Sequence, residues 1–336
     1  MINLKFKKCI LCFCSVVFLL GLESCSKNSK KSNIEEAEKP IILGFSQIGA
    51  ESAWRKRNSE SVKEAAQLCG IQLVFEDAQQ KQENQLKALH SFIVYNVDAI
   101  AFVPIVEDGW DNVLQEAKEA GIPVIIVDRK IKTKKEGLYT CFIGENGYED
   151  GKKAADYIIA HRENGKKYNI VEFTGTKNSS IATERSAGFR TVIGQYPEYK
   201  IIDSKNGDFL RSLGKELCDT FDFKDDGIYS GNKKVDIIFS HNDAMSLGIL
   251  ESFENHNLSF DNYPVIVSVD GEQQAIDALK ENKLSCVVEC NPNMGFELMA
   301  LVKDIVNDRE VPKVTYLSGR SFVNDESLDF IGPRGY

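Results

Sequence analysis

From Ile41 onward the sequence alternates short apolar runs with longer amphipathic segments, and this alternation restricts the fold more than any other feature. Runs such as "IILGFS" (41–46) and "VIIV" (124–127) predict strands buried on both faces, because their apolar residues are continuous. Segments such as "QENQLKALHSFIVYNV" (82–97) repeat apolar residues at helical spacing and predict helices. The regular succession of strand and helix predicts an α/β fold with parallel sheets covered on both faces.

The same reading extends to the end of the chain. The predicted strands are 41–46, 71–77, 99–104, 124–127, 140–145, 169–175, 199–204, 236–241, 265–271 and 284–290, with a last extended piece at 314–323. The predicted helices are 52–70, 82–97, 110–121, 148–162, 182–196, 212–223, 244–257, 272–282 and 292–308. Because one sheet rarely exceeds about ten strands, the pattern predicts two α/β lobes.

The N-terminal residues differ from the rest. A basic start and an apolar run from Cys9 to Leu22 are typical of a secretory signal and too short for a membrane span. The run ends in "LESC" (22–25), which resembles a bacterial lipoprotein box. We therefore expect residues 1–24 to be a lipoprotein signal peptide and Cys25 to be lipidated, with a plain signal peptide as the alternative. Residues 25–40 are polar and predict a flexible tether. The protein is expected to be exported to the periplasm or cell surface and anchored to a membrane.

Composition excludes several functions. The formal net charge of −9 argues against nucleic-acid binding, which needs a basic surface. The cysteines beyond residue 25 are odd in number and form no paired CxxC motif, so neither a metal site nor a cofactor is expected. No serine or cysteine lies beside a candidate base, and no phosphate-binding glycine loop is present. We therefore do not expect an enzyme.

Polar and aromatic residues cluster where the predicted strands end. Ser46 and Gln47 follow the first strand, Asp128 and Arg129 follow "VIIV", and further such residues are Trp110, Asn242, Asp243 and Asp270. Ligands of parallel sheets bind beyond the carboxyl ends of the strands, so two facing lobes would place these residues in one cleft. Carboxylates, amides and guanidinium groups suit the hydroxyls of a neutral sugar. Trp54 or Trp110 could cover its apolar face, or either could pack in a core.

Several motifs point to a known family. They are "DRKI" (128–131), "ATERSAGF" (182–189), "SHNDAMSLG" (240–248), "VSVDG" (267–271) and "VVECNPNMG" (287–295). Together they resemble the periplasmic sugar-binding proteins of the ribose/galactose type, the receptor components of ABC transporters, over about residues 41–323. Within that family, "GFSQIGAESAWR" (44–55) and "KNGDFLRS" (205–212) resemble the galactofuranose-binding receptors. Ribose-type receptors have two phenylalanines near the first helix, where this chain has Trp54 and Arg55.

The resemblance implies a type I periplasmic-binding fold, with two Rossmann-like lobes joined by a three-stranded hinge near 144–146, 289–291 and 317–320. The implied N-terminal lobe is 41–144 plus 291–317, and the C-terminal lobe is 145–290 plus 318–336. The implied sugar-binding residues are Ser46, Gln47, Glu51, Trp54, Arg55, Asp128, Arg129, Arg185, Asn242, Asp270 and Glu289.

The resemblance also implies a mechanism. A monosaccharide, galactofuranose or a similar furanose or pyranose, would bind between the lobes and be trapped by hinge closure, and the closed form would dock on an ABC transporter permease. Replacing Asp128 with alanine should then abolish binding. A sugar-sensing receptor that partners a membrane kinase or chemoreceptor would have the same sequence features. A DNA-binding repressor of this fold is disfavoured by the signal sequence. The structural alternatives are a surface ion pair for Asp128 and Arg129, a solvated helix charge for Arg185, a turn for Asp270 and an edge charge for Glu289.

Overall fold

The structure is a computed structural model that describes residues 39–161, 163 and 165–336. The expected signal peptide and the expected lipidation site at Cys25 lie outside the described residues. No helix in the described part of the chain is long and apolar enough to cross a membrane.

The elements alternate as the sequence predicts. The strands are β1 (Ile42–Gln47), β2 (Gln72–Asp77), β3 (Ala99–Phe102), β4 (Val124–Val127), β5 (Cys141–Gly144), β6 (Tyr168–Thr174), β7 (Tyr199–Asn206), β8 (Asp222–Lys224), β9 (Gly227–Ser230), β10 (Lys233–Lys234), β11 (Ile237–Ser240), β12 (Val265–Asp270), β13 (Cys286–Glu289), β14 (Val314–Tyr316) and β15 (Ser321–Phe322). The α-helices are α1 (Ala53–Leu68), α2 (Gln82–Val94), α3 (Asp111–Glu119), α4 (Gly147–Ala160), α5 (Ser180–Ile193), α6 (Arg211–Cys218), α7 (Asp243–Asn255), α8 (Gln273–Lys280) and α9 (Gly295–Val306).

Two six-stranded sheets organise the molecule. The first has the order β14-β5-β4-β3-β1-β2 and is parallel throughout. The second has the order β15-β13-β12-β11-β6-β7 and is parallel except for β15, which runs antiparallel to β13. We call the first sheet with α1, α2, α3 and α9 the N-lobe, and the second with α4 to α8 the C-lobe. The predicted α/β fold with parallel sheets is confirmed.

The central strands are buried along their whole length. Every residue of β3, β4, β5 and β11 is buried, because helices cover both faces of each sheet. Fully burying one valine, leucine or isoleucine side chain contributes about 1.5–3 kcal/mol. The unbroken Val/Ile runs therefore contribute strongly to the stability of each lobe.

The chain passes between the lobes three times. It leaves the N-lobe after β5, because the next helix, α4, packs on β12 and β13. It returns after β13, because α9 packs on α1. It crosses a last time between β14, which pairs with β5, and β15, which pairs with β13.

One local prediction is wrong. The helix predicted to continue to residue 223 ends at Cys218, and residues 222–234 form a small antiparallel sheet, β10-β9-β8. Leu213, Leu217 and Phe221 recur at helical spacing, so periodicity alone extends the predicted helix beyond its end. The last extended piece, predicted over 314–323, divides into β14 and β15 of different sheets, with the change of sheet at the crossing that the resemblance implied near 317–320.

Candidate ligand-binding site

A buried cavity lies between the lobes at the carboxyl ends of their strands. It has about 300 Å³ of empty space, including the part that opens to solvent. Its walls are Glu51, Ser52, Trp54, Arg55, Asp128 and Arg129 from the N-lobe, and Ile181, Arg185, Phe209, Asn242, Asp270 and Cys290 from the C-lobe and the second crossing.

Two of the cavity carboxyl groups are held by unusual backbone conformations. Asp128 directly follows β4 and has φ +63°, and Asp270 ends β12 with φ +125°. Residues other than glycine rarely adopt such angles, and when they do they often lie at functional sites. The Asp128 amide donates to the carbonyl of Ile143 at 2.8 Å, which fixes the turn after β4. The strained backbone at these two residues thus directs both carboxyl groups toward the cleft.

In the N-lobe, Arg55 is fully engaged by protein acceptors. Its Nη2 donates to Asp128 Oδ2 at 2.6 Å and its Nε donates to Glu51 Oε1 at 3.1 Å. Burial acts to lower the pKa of Arg55, but the two carboxylates outweigh it and raise the pKa above its usual value. The N-lobe wall is therefore a rigid array of paired charges.

The neighbouring Arg129 is equally buried but poorly partnered. Its Nη1 and Nη2 lie 3.5 Å from Ile105 O and Glu51 Oε1, and its Nε has no hydrogen-bond partner among the described residues. Burial and the positive charge of Arg55 lower the pKa of Arg129 to about 10. A buried guanidinium with unfilled donors favours a ligand that supplies acceptor oxygens.

Arg185 reaches the cavity from α5 in the C-lobe. Its Nη1 donates to the carbonyl of His241 at 2.6 Å, its Nε donates to Asp150 Oδ2 at 3.3 Å, and its Nη2 lies 3.7 Å from Asp270 Oδ1. Burial opposes the charge of Arg185, but Asp150 raises its pKa overall. Burial raises the pKa of Asp270 well above its usual value, against the effect of Arg185.

Close packing of α4 on α5 sets the position of Arg185. A Cβ atom on Gly151 would lie 2.0 Å from the carbonyl oxygen of Arg185, and one on Gly188 would lie 1.9 Å from that of Tyr148. Only glycine at both positions lets the two helix backbones approach this closely. The "SAGF" part of the predicted motif is therefore needed to hold the arginine that precedes it.

An aromatic wall is supplied by Phe209, which the sequence did not single out. Asp208 and Phe209 have φ +50° and +61°, and the Phe209 ring lies over the guanidinium of Arg129 at 5.1 Å. A Cβ on Gly175 would lie 1.9 Å from the ring, so this position must be glycine. Asn242 caps α7 by accepting from Met245 N, and its Nδ2 donates to the carbonyl of Phe209 at 3.1 Å.

The two tryptophans have different roles. Trp54 lines the cavity, and its Nε1 donates to the carbonyl of Cys290 at 2.6 Å. Trp110 is fully buried in the N-lobe core, its ring centroid lies 4.9 Å from that of Phe102 at an interplanar angle of 51°, and its Nε1 donates to the carbonyl of Val106. Trp110 is thus a packing residue, which is the alternative that the sequence left open.

Three predicted residues do not line the cavity. Ser46 is buried within the N-lobe. Gln47 donates to Asn58 Oδ1 at 3.0 Å and supports α1 from behind the site. Glu289 pairs with Arg334 at 2.6 Å near the last crossing. The remaining predicted residues line the cavity together: Glu51, Trp54, Arg55, Asp128, Arg129, Arg185, Asn242 and Asp270.

Four lining residues were not predicted, namely Ser52, Ile181, Phe209 and Cys290. For two of them, a feature of the sequence could have indicated a place near the cavity. Ser52 is the first residue of the first predicted helix, where serine is a typical N-cap, and its Oγ accepts from Arg55 N at 3.1 Å. Phe209 follows "NGD", a turn sequence at the end of β7.

The cavity holds equal numbers of acidic and basic groups. Three guanidinium groups, of Arg55, Arg129 and Arg185, face three carboxyl groups, of Glu51, Asp128 and Asp270. No group of three or more histidine, cysteine, aspartate or glutamate residues arranged to hold a metal occurs in the described ranges. The arrangement can bind a compact, uncharged ligand that offers many donors and acceptors.

Comparison with known proteins agrees with this geometry. A family model described as "Periplasmic binding protein domain" matches residues 43–310. The chain belongs to the periplasmic binding protein family. The resemblance predicted from the motifs is confirmed, and the family consists of binding proteins rather than enzymes, as expected.

Several relatives are similar over most of their length. The galactofuranose-binding protein YtfQ of Escherichia coli K12 is 36% identical, with 86% of this chain and 90% of that protein covered. A structure from Mycobacterium smegmatis in complex with β-D-fucofuranose is 38% identical, covers 86% of this chain and 93% of that one, and has a TM-score of 0.81. The binding component of the arabinose ABC transporter from Shewanella sp. ANA-3, bound to α- and β-L-arabinofuranose, is 36% identical, covers 86% and 94%, and has a TM-score of 0.78.

Proposed function

We propose that this protein is the substrate-binding receptor of an ABC sugar importer and that it binds a monosaccharide in its furanose form, such as galactofuranose, between its lobes. The observation that supports this most is the buried cavity, in which carboxyl and guanidinium groups are equal in number and the Nε of Arg129 has no hydrogen-bond partner among the described residues. The sugars named for the similar proteins above are furanoses, which favours the same ring form here.

The proposed contacts involve the cavity groups that are free to hydrogen-bond to the sugar or to pack against it. Arg129 would donate to sugar oxygens, since its own partners are distant. Asp128 and Asp270 would accept from sugar hydroxyls at the ends of β4 and β12. Trp54 and Phe209 would flank the C–H surface of the ring. Ser46, Gln47 and Glu289 would support the site without touching the sugar.

Hinge closure would bring these groups together, and direct contacts between the lobes support it. The backbone amide of Lys130 donates to Ser180 Oγ at 2.6 Å, and its Nζ pairs with Glu184 Oε1 at 2.6 Å. On another side of the cleft, Trp54 N at the start of α1 donates to Glu272 Oε1 at 2.9 Å. These bonds join the N-lobe to the C-lobe, so each exists only when the lobes are close.

The proposed partners are a membrane permease and the membrane itself. Family membership implies an exported, periplasmic protein. A lipid on Cys25 and the tether to residue 40 would keep the closed receptor near the permease, where the bound sugar would be handed over.

The proposal is tested by isothermal titration calorimetry of the purified protein against pentoses and hexoses, with furanose fractions measured by NMR. Mass spectrometry of sugars that remain bound through purification gives an independent readout. We expect one or a few furanoses to bind much more tightly than ribose. If no pentose or hexose binds in either ring form, the proposed function is wrong.

A further inference from the structure

A second cavity adjoins the first at the outer side of the cleft. The two cavities share Glu51 and Arg129 as wall residues. The other walls of the second cavity are Ile48, Gln80 and Ile105 from the N-lobe and Thr176 and Asp208 from the C-lobe. It has about 470 Å³ of empty space, including its opening to solvent.

The two shared residues have unfilled hydrogen-bonding atoms. Glu51 Oε2 and Arg129 Nε are buried and have no hydrogen-bond partner in the described part of the chain. The side chains are only 5% and 4% exposed, so solvent does not readily reach these atoms. The other carboxylate oxygen, Glu51 Oε1, is already used by Arg55 and Arg129. Leaving a buried charged acceptor and donor unfilled is costly, and both belong to residues that line the two cavities, which favours a ligand that extends from the first cavity into the second.

We propose that the second cavity is a subsite for the exocyclic arm of the sugar and that the ligands of this protein are hexofuranoses rather than pentofuranoses. This inference rests on the proposed function and adds the substrate class. A hexofuranose carries a two-carbon arm with two adjacent hydroxyls, whereas an aldopentofuranose carries one hydroxymethyl group. The diol can bond both atoms at once, with one hydroxyl donating to Glu51 Oε2 and the other accepting from Arg129 Nε, whereas the shorter arm of a pentofuranose has a single hydroxyl to serve both.

The outer walls suit the end of such an arm. Thr176 follows β6, and Asp208 lies in the strained turn that also positions Phe209. Their hydroxyl and carboxylate groups border the second cavity, where the terminal hydroxyl of the arm would lie. Ile48 and Ile105 would contact the carbon atoms of the arm.

Three sugars with the same ring configuration test the proposal. L-arabinofuranose has a single hydroxyl on its arm, D-fucofuranose has one hydroxyl and a methyl group, and D-galactofuranose has the full diol. Calorimetry with NMR-corrected furanose concentrations should show galactofuranose binding about tenfold or more tightly than the other two, since one charge-assisted hydrogen bond is worth roughly that factor.

Variants locate the effect in the second cavity. Thr176→Leu fills part of it and should lower the ratio of galactofuranose to arabinofuranose affinity about tenfold. Thr183→Leu makes the same change on an exposed face of α5 outside both cavities and should leave the ratio unchanged. If Thr176→Leu does not fold, Asp208→Asn tests the same wall, because asparagine tolerates the positive φ at this position.

The outcomes separate the two proposals. If arabinofuranose binds as tightly as galactofuranose, or if the ratio is the same in Thr176→Leu as in the native protein, the subsite is refuted while sugar binding stands. If none of the three sugars binds, the proposed function fails as well.

Discussion

Replacing Asp128 with asparagine tests the charge balance of the cavity directly. Asp128 Oδ2 accepts from Arg55 Nη2 at 2.6 Å and lies 3.9 Å from Arg129 Nε, and all three side chains are about 4% exposed. Asparagine keeps the size of the side chain and one acceptor oxygen for Arg55. The substitution therefore removes a charge without opening a hole, and the three cavity guanidinium groups then face two carboxyl groups.

The expected loss can be worked from the contacts. A hydrogen bond to a charged group contributes about 1.5–3 kcal/mol, against about 0.5–1.5 kcal/mol for a neutral one. A sugar hydroxyl that donates to Asp128 would thus lose about 1–1.5 kcal/mol, which corresponds to about five- to fifteenfold weaker binding. Asp128→Ala removes the acceptor altogether. Breaking a buried ion pair by removing one partner also costs about 3–5 kcal/mol of folding stability. We expect a destabilised protein with no measurable sugar binding, because the sugar hydroxyl has lost its charged acceptor.

Calorimetry with the preferred sugar gives the affinity, and thermal unfolding without sugar shows whether the variant is folded. Asp77→Asn is a matched control, because Asp77 ends β2 at the same edge of the sheet but is exposed and accepts a hydrogen bond from Gln79 N. A further sign of the mechanism is that Asp128→Asn should weaken a neutral sugar more than the corresponding uronic acid. Unchanged affinity in a folded Asp128→Asn protein would refute the reasoning from charge balance.

Three further predictions follow from single contacts. Lys130→Met breaks an ion pair between the lobes and should lower the affinity for every sugar by a similar two- to fivefold factor, since a partly exposed ion pair contributes up to about 1 kcal/mol. Lys132→Met is the control, because the partner of Lys132 lies in the same lobe at 2.7 Å, and it should leave the affinities unchanged. Gly175→Ala should displace Phe209 and lower sugar affinity about tenfold, and a crystal structure with the ring unmoved would contradict this. Burial raises the pKa of Glu145 to about 8, so the folded state binds the proton of this carboxyl group more tightly than the unfolded state does. The free energy of unfolding therefore falls as pH rises from about 4.5 through 8. In urea unfolding, Glu145→Gln should gain stability relative to the native protein at pH 9 compared with pH 5.

The strand ends could be predicted because the apolar runs are so regular. Burial of β4 along its whole length requires the run "VIIV" to stop where the sheet stops, and Asp128 must then lie at the edge. The same logic predicted Asp270 after β12 and Asn242 after β11. The same logic named Ser46 and Gln47, which do not line the cavity, because the sequence does not say which residues at a strand end point toward the cleft. Glu289 was implied by the resemblance alone and also lies outside the cavity walls.

The contacts between the lobes could not be predicted from local sequence patterns. Trp54 N and Glu272 Oε1 are 218 positions apart, and Lys130 and Glu184 are 54 apart. Each residue looks like an ordinary helix or loop residue by itself. Phe209 was missed for a related reason, because its place in the cavity depends on two successive positive φ angles and on the bare backbone of Gly175.

The structure also divides roles between two arginines that the sequence treats alike. Arg185 is satisfied within the C-lobe by Asp150 and by the carbonyl of His241, whereas the partners of Arg129 among the described residues are no closer than 3.5 Å. Removing Arg185 leaves Asp150 buried and unpaired, so Arg185→Met should lower the free energy of unfolding by about 3–5 kcal/mol. Arg129→Met removes a poorly paired buried charge and should change the stability of the sugar-free protein much less, yet it should weaken sugar binding at least tenfold. Equal losses of stability in the two variants, measured by urea unfolding without sugar, would show that Arg129 stabilises the fold and would contradict its proposed role as a hydrogen-bond donor to the sugar.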